Sequence, residues 1–109
     1  MSKVYVYTRN SNAEAFEKGS SRETQIKKCR NYASIKDLTI SEVIEEQCSG
    51  QIPFDRREKA FELLKKLKSN DHIICSHLDR FSRNTLNLLQ LVEKFRKQKV
   101  SLHFVDVGG

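Results

Sequence analysis

Five residues of this sequence are of the types that chemistry at a phosphate ester requires: Arg9 and Ser11 near the amino terminus, and Asp79, Arg80 and Arg83 much further along. Displacement at phosphorus builds negative charge on the nonbridging oxygens. A planar guanidinium stabilises that charge through paired hydrogen bonds that lysine cannot reproduce. A serine hydroxyl can serve as the nucleophile, but it is weak until a base or nearby positive charge activates it. Taken singly, none of these residues signifies chemistry: a serine after a strand is ordinarily a turn residue, and Asp79 beside Arg80 is ordinarily a surface ion pair. Their meaning depends on whether the fold brings the two segments together.

The elements that must position them are legible in the hydrophobic pattern. Residues 3–8, KVYVYT, read as a first strand that runs straight into Arg9, Asn10 and Ser11. The stretch from Asn12 to Ser21 reads as a long loop, with Ser20 and Glu23 offering a capping box for the helix that follows. In that helix, from Arg22 to about Ala33, apolar Ile26, Cys29 and Ala33 recur at helical spacing. Leu38 to Ile44 alternates as a second strand ending in Glu45 and Glu46, and the loop CSGQIPFD carries the only proline. Asp55 and Glu58 are placed to cap a second helix with Ala60, Phe61, Leu64 and Leu67 on its apolar face and Lys59, Lys65, Lys66 and Lys68 on a solvated one. His72 to Ser76 is a short apolar run suited to a buried strand, which delivers HLDRFSRN at its carboxyl end. A third helix from Asn84 to Lys97, carrying Leu88, Leu91, Val92 and Phe95, and a last strand from Val100 to Val107 complete the chain.

Strands alternating with helices predict an α/β fold, a mostly parallel sheet of four to five strands with helices on both faces. Ligands of such sheets sit outside the carboxyl ends of the strands. Arg9 and Ser11 follow the first strand, Ser49 the second, and Asp79, Arg80 and Arg83 the third, so three segments converge on one crevice. Asn10 puts an amide at that edge, where it needs partners, because an unsatisfied buried amide costs about 1–3 kcal/mol.

A chain of 109 residues fits a single domain. Its 20 Lys and Arg against 14 Asp and Glu give a net charge of +6 and a pI near 9.4, which favours a polyanionic partner. Cys29, Cys48 and Cys75 form neither a disulfide framework nor a CxxC pair, which fits a reducing cytoplasm. His72, His77 and His103 lack metal-ligand spacing, and no P-loop or GxGxxG follows the first strand. No stretch has the run of about 20 apolar residues that a membrane span needs, and the amino terminus lacks a signal h-region. The expectation is a soluble, unprocessed protein.

The segments YVYTRNS, residues 5–11, and HLDRFSRN, residues 77–84, resemble the YxRxS and LDRxxR signatures of serine site-specific recombinases of the resolvase and invertase type. The likeness extends to Gln25, to Ser49 and Gly50, to an arginine opening the second helix, and to the ending LHFVDVGG. It implies a resolvase-like catalytic domain over residues 1–109, in which Ser11 attacks a DNA phosphate to leave a 5′-phosphoserine link and a free 3′ hydroxyl. It also implies that Arg9, Arg80 and Arg83 bind the phosphate and that Asp79 orients them or assists proton transfer. Tyr7, Gln25 and Ser49 are implied as supporting residues. Arg56 and Arg57 are both candidates for a further phosphate-binding arginine, and counting back from Asp79 favours Arg57. The resemblance implies no metal and no high-energy cofactor. Double-stranded DNA is the implied partner, without a membrane, in a cytoplasmic, nucleoid-associated protein.

Members of this family continue into a long dimerisation helix and a DNA-binding domain. The expectation is therefore that these 109 residues do not complete the reaction alone, and that the full-length protein forms a homodimer and a synaptic tetramer. Leu86 and Leu89, off the main apolar face of the third helix, are candidates for the subunit contact. Two other functions remain open at this level: a noncatalytic DNA-associated regulatory module of the same fold, and a small phosphate-ester hydrolase using the same crevice. Resolution, inversion, integration and transposition are not distinguished.

Overall fold

The computed structural model describes residues 2–10, 22–77, 81 and 85–106. Ser11, Asp79, Arg80 and Arg83, like the loop from Asn12 to Ser21 with its capping residue Ser20, lie outside the described residues. The element order is β1 (Val4–Asn10), α1 (Arg22–Ile35), β2 (Glu42–Gln47), a 3₁₀ turn (Phe54–Arg56), α2 (Glu58–Lys66), β3 (His72–His77), α3 (Thr85–Gln98) and β4 (Ser101–Asp106). The described strands form a four-stranded sheet in the order β2-β1-β3-β4, with every pairing parallel.

β1 is central, and all seven of its residues are buried. Its side chains alternate between two cores, as a strand covered on both faces requires. Tyr5 and Tyr7 join Ile44, Leu63, Ile73, Leu91 and Phe95 on the side of α2 and α3. Val4 and Val6 join Ile74, Cys29 and Ala33 on the side of α1. Helices thus cover both faces, as the strand and helix alternation predicts. Among the described residues no helix is long and apolar enough to cross a membrane, and all three cysteines are free thiols.

Three local expectations are corrected. The second strand begins at Glu42 and runs through Glu45 and Glu46 instead of ending before them. Leu38 and Ile40 lie ahead of it, packed against the α1-side core. Asp37, with φ of 59°, turns the chain there, and the Leu38 N–H bonds back to the Ala33 carbonyl at 2.8 Å. Asp55 lies in the 3₁₀ turn, so α2 starts at Glu58 with Arg57 at its N-cap, and Arg57 makes no side-chain cap bond. Its buried face is Ala60, Leu63 and Leu67, while Phe61 stays 49% exposed with the Lys65 ammonium 4.9 Å above its ring. On α3, Leu91 and Phe95 are buried and Leu88 packs beside them, whereas Val92 is exposed.

At the amino end of β3, away from the predicted crevice, Tyr32, His103 and His72 form a hydrogen-bonded chain. The Tyr32 hydroxyl meets His103 Nδ1 at 2.9 Å, and His103 Nε2 meets His72 Nδ1 at 3.0 Å. Burial, reinforced by His72 and Lys36, holds His103 below the ordinary imidazole value of 6.5. The folded chain therefore binds fewer protons here than the unfolded chain, so stability falls as pH drops from 6.5 towards the lower folded value. Thermal unfolding compared at about pH 7 and pH 5.5 is expected to show a smaller acid loss for His103→Gln than for the wild type. Equal losses would remove His103 as a source of the acid sensitivity.

Candidate active site

The backbone of β1 explains why its end is special. The carbonyls of Val4 and Asn10 accept from Ser41 and Cys48 on the β2 side, while the Lys3 carbonyl accepts from His72 on the β3 side. By this alternation the N–H and C=O of Arg9 point towards β3. The β1–β3 pairing, however, ends at Val6 and Ile74, and the next carbonyl on that side, Tyr7, accepts the Cys75 thiol at 3.4 Å. Gln25 of α1 takes over where the ladder stops. Its Oε1 accepts the Arg9 N–H at 3.2 Å, and its Nε2 donates to the Arg9 carbonyl at 3.2 Å and to Asn10 Oδ1 at 2.9 Å. Both the buried Gln25 and the amide of Asn10 are thereby partnered. Because α1 and α2 lie on opposite faces, β1 and β3 flank the point where the chain reverses direction across the sheet, which is where such folds hold ligands.

Arg9 is fully buried and follows the parity of Tyr5 and Tyr7, and its Nη1 donates to the Cys48 carbonyl at 3.0 Å. Arg57, also buried, reaches the same side. Its Nε donates to the Ile52 carbonyl at 3.0 Å, its Nη2 to the Gly50 carbonyl at 3.4 Å and its Nη1 to the Tyr7 hydroxyl at 3.3 Å. Arg56 is exposed. Of the two candidate arginines, only Arg57 stands with Tyr7. Burial drives the Tyr7 phenol far above its ordinary range despite the opposing pull of Arg57, so it stays protonated and donates to Glu46 Oε1 at 3.3 Å.

Glu46 was not singled out in the sequence, where it reads as one of two acids closing a strand. Its side chain is buried and accepts from the N–H groups of Lys59 at 3.1 Å and Ala60 at 2.9 Å. It thus supplies from β2 the cap that the second helix lacks locally, satisfying donors that a helix amino terminus leaves open. Burial raises the Cys48 thiol above its ordinary value, partly offset by Arg57. Ser49 is exposed, and its Oγ accepts the Gln51 N–H at 3.1 Å within the turn.

Phe81 is the one described residue between Leu78 and Asn84, and it too was not singled out. Fully buried, it stacks on Phe54 at 4.1 Å and meets Phe95 and Phe104 edge-on. Phe54 in turn lies 5.0 Å from Tyr7, with the Arg57 guanidinium 5.7 Å from its ring centre. This aromatic column packs Phe81 into the same core that holds Tyr7 and Arg57. The structure thus brings together Tyr7, Arg9, Gln25 and Arg57, with Ser49 at the rim and Arg56 outside.

A family model described as Resolvase, N terminal domain, matches residues 4–109. The chain belongs to this family. It is 28% identical over 109 residues to the transposon Tn2501 resolvase of Escherichia coli, covering all of this chain and 53% of that protein. It is likewise 28% identical over 109 residues to serine recombinase PinR of Escherichia coli (strain K12), covering 52% of it. The chain therefore spans about half the length of these curated relatives. Among solved structures, the N-terminal catalytic domain of TP901-1 integrase superposes with a TM-score of 0.80 at 26% identity, covering 94% of this chain and 77% of that one. The fold is thus that of a serine recombinase catalytic domain.

Within this recombinase domain, the missed residue Glu46 carried one sequence signal: it stands two residues after Ile44 and so shares its face of the strand. Replacing it by alanine leaves the Lys59 and Ala60 N–H groups and the Tyr7 hydroxyl without their acceptor. Glu46→Ala is expected to lower unfolding free energy by about 1–3 kcal/mol in a urea titration. A loss below about 0.5 kcal/mol, the scale of an ordinary surface change, would show that water replaces it.

Proposed function

We propose that this domain cleaves and rejoins DNA strands in site-specific recombination, with Ser11 as the nucleophile. The Ser11 oxygen attacks a backbone phosphorus, the bond from phosphorus to the 3′ oxygen breaks, and the 3′ oxygen leaves as a hydroxyl after taking a proton. The 5′ phosphate stays on Ser11. After strand exchange a 3′ hydroxyl attacks that phosphoserine, reforming the diester and releasing the serine, so no external energy source is consumed. Arg9, Arg80 and Arg83 stabilise charge on the nonbridging oxygens. Asp79 orients these arginines or assists proton transfer. Arg57 adds positive charge from the second loop, while Tyr7, Gln25 and Ser49 hold the edge in shape.

One observation carries this reading. The sheet parts between β1 and β3 where the chain reverses direction, a buried guanidinium ends β1, and Ser11 is the next residue but one. The membership of the resolvase family and the +6 charge point the same way. A noncatalytic module was motivated by Asn10, and the partnered state of that amide removes the motive. The full-length protein is proposed to work as a homodimer and synaptic tetramer on double-stranded DNA in the cytoplasm, associated with the nucleoid. Leu86 and Leu89, 66% and 60% exposed on α3, belong to the subunit contact.

The test is covalent capture. Full-length protein is incubated with sheared genomic DNA of its source, denatured and extracted, and protein-linked fragments are recovered. The adduct is expected in the wild type and absent in Ser11→Ala; an adduct that persists in that variant removes Ser11 as nucleophile. For assembly, Leu86→Glu with Leu89→Glu is expected to shift the sedimenting species of the full-length protein towards monomer. An unchanged distribution would place the contact elsewhere.

A further inference from the structure

The carboxyl ends of β3 and β4 are joined by a side-chain chain that the recombinase chemistry does not use. His77, the last residue of β3, is in register with Asp106, the last residue of β4. The His77 Nε2 meets Asp106 Oδ2 at 3.1 Å, and the same oxygen accepts from the Lys28 ammonium of α1 at 2.8 Å. With Nε2–H directed at the carboxylate, His77 Nδ1 is free to accept from the buried Ser76 hydroxyl, 3.1 Å away. The histidine ring is therefore held from both sides. Lys28 keeps the Asp106 carboxyl below the usual carboxylate range, with His77 contributing.

Lys28 stands three residues after Gln25 on α1, on the same side of the helix. Gln25 clamps the end of β1 through Arg9 and Asn10. One turn of α1 therefore grips the ends of β1 and β4 directly and the end of β3 through Asp106. Ser11 follows the first of these ends, and Asp79 and Arg80 follow the third within three residues. Among the described residues, the β1–β3 register runs only from Val4 and His72 to Val6 and Ile74.

We propose that Lys28, Asp106 and His77 are positioning residues that brace the β3 end against α1 and so set where that strand end, which Asp79 and Arg80 follow in sequence, stands relative to the end of β1. The proposal rests on the recombinase reading. The three side chains are between 37% and 45% exposed. Pairs of such exposure add little to overall stability. The brace therefore acts on geometry at the crevice rather than on folding.

The experiment uses full-length protein and a DNA fragment recovered by covalent capture. Single-turnover adduct formation at saturating protein, DNA affinity and melting temperature are measured for Lys28→Met, Asp106→Asn, their double variant and Lys28→Arg. Lys28→Met and Asp106→Asn are expected each to slow adduct formation roughly five-fold, with affinity and melting temperature unmoved. The double variant is expected to be no slower than either single one, and Lys28→Arg to recover most of the rate. Wild-type rates in both single variants, multiplying losses in the double variant, or losses matched by weaker DNA binding would each overturn the brace.

Ser11→Ala run in parallel separates the two readings, since an adduct surviving there defeats the nucleophile and says nothing of Lys28. Amide hydrogen exchange judges the brace without activity. Lys28→Met is expected to speed exchange at Ser76 and His77 as well as at the end of β4. Unchanged exchange at His77 overturns the proposal whatever the enzyme does.

Discussion

A strand buried on both faces must end somewhere, and the end of β1 carries the heaviest polar demand in the described structure. Arg9 brings a charged guanidinium and two backbone groups to a place without water, and Asn10 adds an amide. Leaving such groups without partners costs more than an average hydrogen bond returns. Gln25 meets the backbone demand, and the Cys48 carbonyl takes part of the guanidinium. Fixing Gln25 fixes α1 against the sheet, and α1 in turn reaches the other strand ends. The architecture of the edge is thus organised around partnering one strand terminus.

Arg57 poses the same problem from the second loop, and its solution ties that loop down. Three acceptors, two of them loop carbonyls, hold the guanidinium, and the third, Tyr7, links it to Glu46 and so to the first N–H groups of α2. A buried network of this kind is stable only when its members are satisfied together. The helix that carries Lys59 to Lys66 is therefore started by a carboxyl group from another strand, and its orientation is coupled to β1. Phe54 and Phe81 extend the coupling through ring contacts to the segment preceding α3. In a recombinase domain this matters because the proposed phosphate-binding groups come from three chain segments distant in sequence.

The sequence alone determined the order of the elements and the parallel sheet with helices on both faces. These follow from local periodicity: KVYVYT and HIICS have no polar face to turn to solvent, so they must be central strands, and two-sided burial demands helices on each side. It also set the family, because YxRxS and LDRxxR join side chains to the strand ends that present them.

The tertiary structure alone decided matters that depend on residues distant in sequence. Asp55 and Glu58 had the spacing of a capping box, yet the first N–H groups of the helix are capped by Glu46 from another strand, and Leu63 rather than Phe61 faces the core. Counting back from Asp79 favours Arg57 over its chemically identical neighbour Arg56, but only the structure shows that Arg57 is buried against Tyr7, fifty residues away, while Arg56 is exposed. The resemblance implies a supporting role for Gln25, but only the structure shows what it supports, the backbone of Arg9 and the amide of Asn10. Periodicity records which face of an element is apolar, but hydrogen bonds between strand ends and helix starts depend on which elements end up adjacent.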